Sequence, residues 1–223
     1  MDLSVQVQKS VSTPGDLHGD ALRRNLFAAA KRALDVSISL ALLIFFLPLI
    51  TLLVLMIRLD RHPAFYCQTR LGVGGREFRL WKLRSMVADA DRCLEMHLRD
   101  PVAREEWDRT QKLVRDPRIT PVGRFIRKYS IDELPQLWNV LRGDMSLVGP
   151  RPMLPEQRAL YPGDACFRVR PGITGLWQVS ERNASSFAER ASYDEYYAVN
   201  LSLRLELSII FKTMWVVLRG TGC

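Results

Sequence analysis

The residues with the most chemical potential crowd into one stretch, Arg127 to Pro152, RKYSIDELPQLWNVLRGDMSLVGPRP. Its adjacent carboxylates, Asp132 and Glu133, stand directly before Leu134-Pro135, and Pro135 suits the first turn of a helix through QLWNVL. That puts the pair at a helix N-terminus, where free N–H groups and the helix dipole favour anions. A carboxylate there stays ionised at low pH, and a phosphate is equally welcome. Ser130-x-x-Glu133 also reads as a capping box, in which the serine and the glutamate satisfy the first N–H groups of the helix. Capping leaves Asp132 without a purpose. It also leaves unexplained the stiff turn Gly149-Pro150-Arg151-Pro152, which presents one arginine, and Arg170-Pro171-Gly172, which presents another. Arginines on rigid turns suit two-pronged binding of phosphate.

The elements that position these residues begin with an apolar run. Val36 to Ile57 is 22 residues without a charge, about 33 Å as a helix, which matches the hydrocarbon thickness of a bilayer. It is too long and begins too late for a cleaved signal peptide, and no small-residue cleavage site follows. Arg23, Arg24, Lys31 and Arg32 precede it, while Arg58, Arg61, Arg70, Arg76, Arg79, Lys82 and Arg84 follow. By the positive-inside rule both ends face the cytoplasm. A straight span cannot meet that condition; a helix bent at Pro48, which removes the bond to the carbonyl of Ile44, can. A re-entrant helical hairpin is therefore expected over about 34–58, with a kinked single span as the alternative.

Further along, AFYCQTR and REFRLWKLRSM flank the turn LGVGG and read as a β-hairpin. Strand patterning after Gly72, Gly74 and Gly75 makes them turn glycines rather than a phosphate loop. Helices are expected from Val87 to Leu98, from Asp100-Pro101 through Lys112, and from Thr120-Pro121, the last placing Arg124, Arg127 and Lys128 on one face. Leu203, Leu207, Ile210, Met214 and Val217 mark an amphipathic helix, either in the membrane interface or against the core.

The chain has 223 residues, 32 Lys and Arg against 24 Asp and Glu, and 48% hydrophobic residues. That excludes wholesale disorder and points to phosphates, nucleic acid or an anionic membrane. Residues 1–30 hold three bases and three acids and read as a flexible tail, so the +8 resides in 31–223. Cys67, Cys93, Cys166 and Cys223 form no metal or disulfide pattern. His18, His62 and His97 are too scattered to act together.

With these residues set out, the run from Lys31 to Gly222 resembles the bacterial sugar transferase family, the monotopic polyprenyl-phosphate phosphoglycosyl transferases. SIDELPQLWNVLRGDMSLVGPRP carries the likeness most specifically, supported by FRLWKLRSM, DPRITPVGRFIRK and VRPGITGLWQVSERN. The resemblance implies an α/β, helix-rich, membrane-embedded catalytic domain over 31–223, with a re-entrant helix and amphipathic interface helices, on the cytoplasmic face of a bacterial inner membrane. It implies a minimal member, without the additional N-terminal transmembrane region of larger relatives. It implies a two-step reaction with Mg²⁺: Asp132 attacks the β-phosphorus of a UDP-sugar and expels UMP, and undecaprenyl phosphate then takes the phosphosugar from the aspartate. Glu133 joins Asp132 at the metal or orients phosphates; Arg127, Arg151 and Arg182 neutralise phosphoryl oxygens. Lys82, Arg84 and Asp194 match the family's polar positions, and no role is assigned to them. LWQVSERN resembles members that move galactose or glucose 1-phosphate in exopolysaccharide synthesis. The implied partners are a UDP-sugar, undecaprenyl phosphate and inner-membrane lipid, without nucleic acid; dimerisation is left open. Two departures stand out: Leu47 where the family commonly has serine before the kink proline, and Glu181 where Gly-Arg-Asn is usual. The competing expectations are a membrane-anchored basic protein binding anionic lipid or nucleic acid, and a glycosyltransferase that releases UDP.

Overall fold

The computed structural model describes residues 14–110, 113–180 and 189–219. The apolar run forms the C-terminal part of α1 (Pro14–Ile57), which starts well before Val36 and carries Pro48 without ending there. Thr51 Oγ1 donates to the carbonyl of Leu47 at 2.9 Å, a local back-bond that bends helices. Among the described residues α1 is the one helix long and apolar enough to cross a membrane, and 17% of its most apolar window is buried. A core helix would be mostly covered. Leu40, Ile44, Phe45, Leu47, Leu52 and Leu55 are instead exposed, so the helix has an unsatisfied apolar surface.

The expected hairpin forms: β1 (Phe65–Leu71) runs antiparallel to β2 (Glu77–Leu83), pairing Tyr66 with Lys82, Gln68 with Leu80 and Arg70 with Phe78. Gly74 and Gly75, at φ 65° and 74°, close its turn. α2 (Ala90–His97) and α3 (Pro101–Thr110) follow. In α4 (Pro121–Lys128), Thr120 caps the helix by accepting from the N–H of Gly123 at 2.9 Å. α5 (Gln136–Arg142) leads to β3 (Ser146–Val148), which lies parallel to β4 (Gly172–Thr174). α6 (Leu176–Ser180), α7 (Arg190–Val199) and α8 (Leu203–Leu218) complete the described chain. The fold is helix-rich with two small sheets.

One core gathers Leu80, Leu137, Val140, Met145, Val148, Tyr197 and Ile209, with Ile38, Leu42 and Leu43 of α1 against it. A second joins Leu53 and Ile57 of α1 to Ala64, Leu83 and Ile126, with Leu49 and Val54 alongside. Both ends of the apolar helix therefore pack on the same domain. Polar contacts reinforce this. Lys31 Nζ reaches Glu206 Oε2 at 2.5 Å and the Val148 carbonyl at 3.2 Å, and Arg32 donates to the carbonyls of Val140 and Leu141 at 2.7 and 2.9 Å. Buried Asp35 accepts from Ser146 Oγ and the Leu147 N–H. Two charges that a flank count assigns to solvent are thus used inside the fold, one of them on the C-terminal carbonyls of α5, where a cation is favoured.

α8 packs one face against the core and leaves another, apolar one uncovered. Glu206 and Ile209 are buried, whereas Leu203, Leu207, Phe211, Met214, Trp215 and Leu218 form an exposed apolar face.

Candidate active site

Ser130 sits at φ 55°, a left-handed conformation that a serine adopts at some cost. It turns the chain out of α4 into a 3₁₀ turn over Ile131–Glu133, closed by Glu133 N–H to the Ser130 carbonyl at 3.1 Å. The capping box expected for Ser130 and Glu133 does not form: an N-cap needs extended backbone, and the Ser130 side chain makes no cap hydrogen bond. Glu133 is used elsewhere. Its Oε1 takes Lys82 Nζ at 2.8 Å and Arg151 Nη2 at 3.4 Å, and Lys82 also approaches Asp132 Oδ2 at 3.9 Å.

The Asp132 and Glu133 side chains are 13% and 12% exposed. Burial pushes the Asp132 carboxyl above the ordinary carboxylate range, against the pull of Lys82; the Glu133 charge adds to the rise and Arg127 opposes it. This departs from the low value expected at a helix N-terminus. The pair occupies a turn ahead of α5 rather than its first turn, and desolvation dominates.

Each partner is held by its own scaffold. Lys82 belongs to β2, and β2 is fastened to α5 by Asn139, whose side chain donates to the Arg79 carbonyl at 2.7 Å and accepts from the Trp81 N–H at 3.1 Å. Arg151 projects from the turn after β3, pinned by Gly149 N–H to the Thr174 carbonyl and Gly172 N–H to the Pro150 carbonyl, both 2.9 Å. Arg190 donates to the Arg151 carbonyl and pairs with Asp194 at 3.3 Å, and Asp194 also accepts from the Tyr161 hydroxyl at 2.9 Å. Burial raises the Asp194 carboxyl while Arg190 and Tyr161 draw it down. Asp194 is thereby joined to the backbone of Arg151 through Arg190.

Of the other residues singled out in the sequence, Arg127 at the end of α4 lies close enough for its charge to act on Asp132. Arg84 does not join the pair: it grips Asp60 at 2.6 Å and the Ile57 carbonyl at 3.0 Å, closing the end of α1. Arg170 is exposed and donates to the Gly143 carbonyl. Arg182 lies outside the described residues. Arg70 enters the sequence reading only as a flank charge, and Gln136 and Arg190 not at all as site residues, yet Arg70 and Gln136 line a crevice with Lys82, Arg151 and Gly172. The period-two alternation of β1 is the signal that was available for Arg70, because its register sets Gln68, Arg70 and Lys82 on one face.

No group of three or more His, Cys, Asp or Glu side chains gathers at a metal site among the described residues. The site offers two adjacent carboxylates. That donor set suits Mg²⁺, which commonly takes one or two carboxylates and completes its shell with water and substrate phosphates.

The structure thus sets a carboxylate pair gripped by cations on a helix-rich domain that carries an exposed apolar helix. The chain belongs to the bacterial sugar transferase family, whose model matches residues 26–220. It is 48% identical over 195 residues to the UDP-galactose-lipid carrier transferase of Erwinia amylovora and 47% identical to the undecaprenyl-phosphate galactose phosphotransferase of Salmonella typhimurium. Each of those matches covers 86% of this chain and 41% of the relative, so the chain spans well under half of those proteins. The exopolysaccharide production protein ExoY of Rhizobium meliloti is 44% identical over 203 residues, which cover 89% of this chain and 90% of that protein.

Proposed function

We propose that this protein transfers a sugar 1-phosphate from a UDP-sugar to undecaprenyl phosphate, releasing UMP, as a membrane step of exopolysaccharide or related glycan synthesis. The observation that carries the reading is the division of labour within the pair. Glu133 takes the two close cations, whereas Asp132 has Lys82 only at 3.9 Å, leaving it the better placed to attack. An Asp132 carboxylate oxygen bonds to the β-phosphorus of the donor as the bond from that phosphorus to the UMP oxygen breaks. The lipid phosphate oxygen then attacks the same phosphorus, the bond to Asp132 breaks, and the carboxylate is regenerated. A carboxylate needs no general base for this, and its acyl phosphate is reactive enough to pass the group on. Lys82 and Arg127 draw the Asp132 carboxyl down against its burial, and Arg151 meets phosphoryl charge from its clamped turn. Asp132 and Glu133 would hold Mg²⁺, which supplies electrostatic stabilisation of phosphoryl oxygens. The galactose named for the Erwinia and Salmonella relatives supports a galactose donor, with glucose as the alternative.

The topology belongs to the same proposal. Residues near both ends of the apolar helix pack on one domain, which favours a re-entrant helix entering and leaving by the cytoplasmic face of the inner membrane. The exposed apolar face of α8 supports an interfacial position for the domain.

The test is UMP release from a panel of UDP-sugars by the full chain in nanodiscs, with Mg²⁺ and undecaprenyl phosphate. Turnover by wild type and its loss in Asp132→Asn is the expected outcome. Release of UDP, or near-normal turnover by the variant, would overturn the reading.

A further inference from the structure

The crevice beside the carboxylate pair is lined by three cations, Arg70, Lys82 and Arg151, together with Gln136, Gly172 and apolar groups. Two of the three have a carboxylate partner in Glu133. Arg70 has no such ion pair among the described residues. Its Nη1 donates to the Pro152 carbonyl at 3.2 Å, its Nη2 to Gln68 Oε1 at 2.6 Å, and its buried Nε makes no hydrogen bond. Burial, with the charge of Arg151 beside it, brings the guanidinium down to about 10, with the Glu133 charge opposing the fall, which still leaves it charged at neutral pH. A desolvated cation whose hydrogen bonds all go to neutral groups is an expensive arrangement unless a negative group in direct contact completes it. Glu133 is already shared by two cations, and no acid lines the crevice.

The backbone prepares the same place. Pro152, whose carbonyl holds Arg70, ends the turn that carries Arg151, so one rigid segment sets the spacing between the two guanidinium groups. Gly172 gives the crevice a wall without a side chain.

We propose that Arg70 is a phosphate-binding residue, forming with Lys82 and Arg151 an anion pocket that holds one phosphate group of a substrate at the mouth of the crevice, next to Asp132. The assignment rests on the phosphosugar transfer proposed above for its role in turnover. Two substrates of that reaction carry the required chemistry, the diphosphate of the nucleotide sugar and the terminal phosphate of the lipid.

The experiment uses the full chain in nanodiscs as wild type, Arg70→Gln and Arg70→Lys. Inorganic phosphate and pyrophosphate, without added metal, are titrated against thermal unfolding. Both anions are expected to raise the wild-type Tm, with the shift largely lost in R70Q and partly kept in R70K, a variant that preserves the charge and guards against a folding defect. The KM values for the UDP-sugar and for undecaprenyl phosphate are then measured separately. R70Q is expected to raise one of them by on the order of tenfold, as loss of one charge-assisted contact does. Whichever KM moves names the source of the phosphate. An equal Tm shift in R70Q, or none in wild type, would overturn the pocket. If wild type releases no UMP while the anion shift still depends on Arg70, the proposed reaction fails and the pocket stands.

Discussion

Lys82 is the side chain that touches both members of the carboxylate pair, at 2.8 Å to Glu133 and 3.9 Å to Asp132. Lys82→Met keeps the length of the stem and removes the charge. It is expected to lower kcat for UMP release by roughly 10- to 100-fold, the range for losing a hydrogen bond to a charged group, while Lys82→Arg recovers part of it; single-turnover UMP release checks this. A second residue reports on the pH behaviour of the interior. Cys166 is packed with Leu71, Met153, Tyr161 and Phe167, and burial pushes its thiol up to about 11. Below that pH the reactive thiolate is scarce. At pH 8 iodoacetamide is therefore expected to modify the half-buried Cys67 and Cys93 and to spare Cys166, with its alkylation rising only as pH approaches 11; peptide mass spectrometry reads the difference. Rapid modification of Cys166 at pH 8 would mean that this cluster opens.

At the scale of elements, the parallel pair β3 and β4 sets where Arg151 stands. A Cβ on Gly172 would fall far inside contact distance of the Gly149 backbone N and of the Thr174 carbonyl, and backbone cannot yield as a flexible side chain does. Gly172→Ala is expected to cost about 1–3 kcal/mol of stability and to reduce UMP release beyond what the lowered stability explains, because the turn holding Arg151 must move. Chemical denaturation and turnover at a temperature where the variant remains folded separate the two effects. Here lies the boundary of what local sequence expresses. The hairpin, the Thr120 cap and the apolar helix follow from period, turn glycines and capping chemistry, all of which act within a few residues. The cation set around Glu133 draws on β2 and on the turn after β3, and the Asn139 clamp joins α5 to β2. Those partners are set by packing across long stretches of chain. Asp132, Glu133 and Arg151 were legible as motif residues; Arg70 and Arg190 were not, since their neighbours belong to other elements. The capping-box alternative for Ser130 fails for the same reason, because Glu133 pairs with cations from elsewhere in the chain.

At the scale of the molecule, α1 and the domain form one body. Lys31, Arg32 and Asp35 bind α5, β3 and α8 near one end of the apolar stretch, while Leu53 and Ile57 join Leu83 and Ile126 near the other. A helix standing straight through a bilayer would separate these two groups of contacts by about the 30 Å hydrocarbon core, and a domain on one face of the membrane could not meet both. The exposed flank residues Arg23 and Arg61 provide the measurement. In a chain whose four cysteines are replaced, Arg23→Cys and Arg61→Cys are each expected to react with a membrane-impermeant maleimide in inside-out inner-membrane vesicles and to resist it in intact spheroplasts. Labelling of Arg23→Cys from the periplasmic side, with Arg61→Cys labelled only from within, would establish a span instead. The contacts of Lys31 with Glu206 and of Asp35 with β3 would then have to break on insertion.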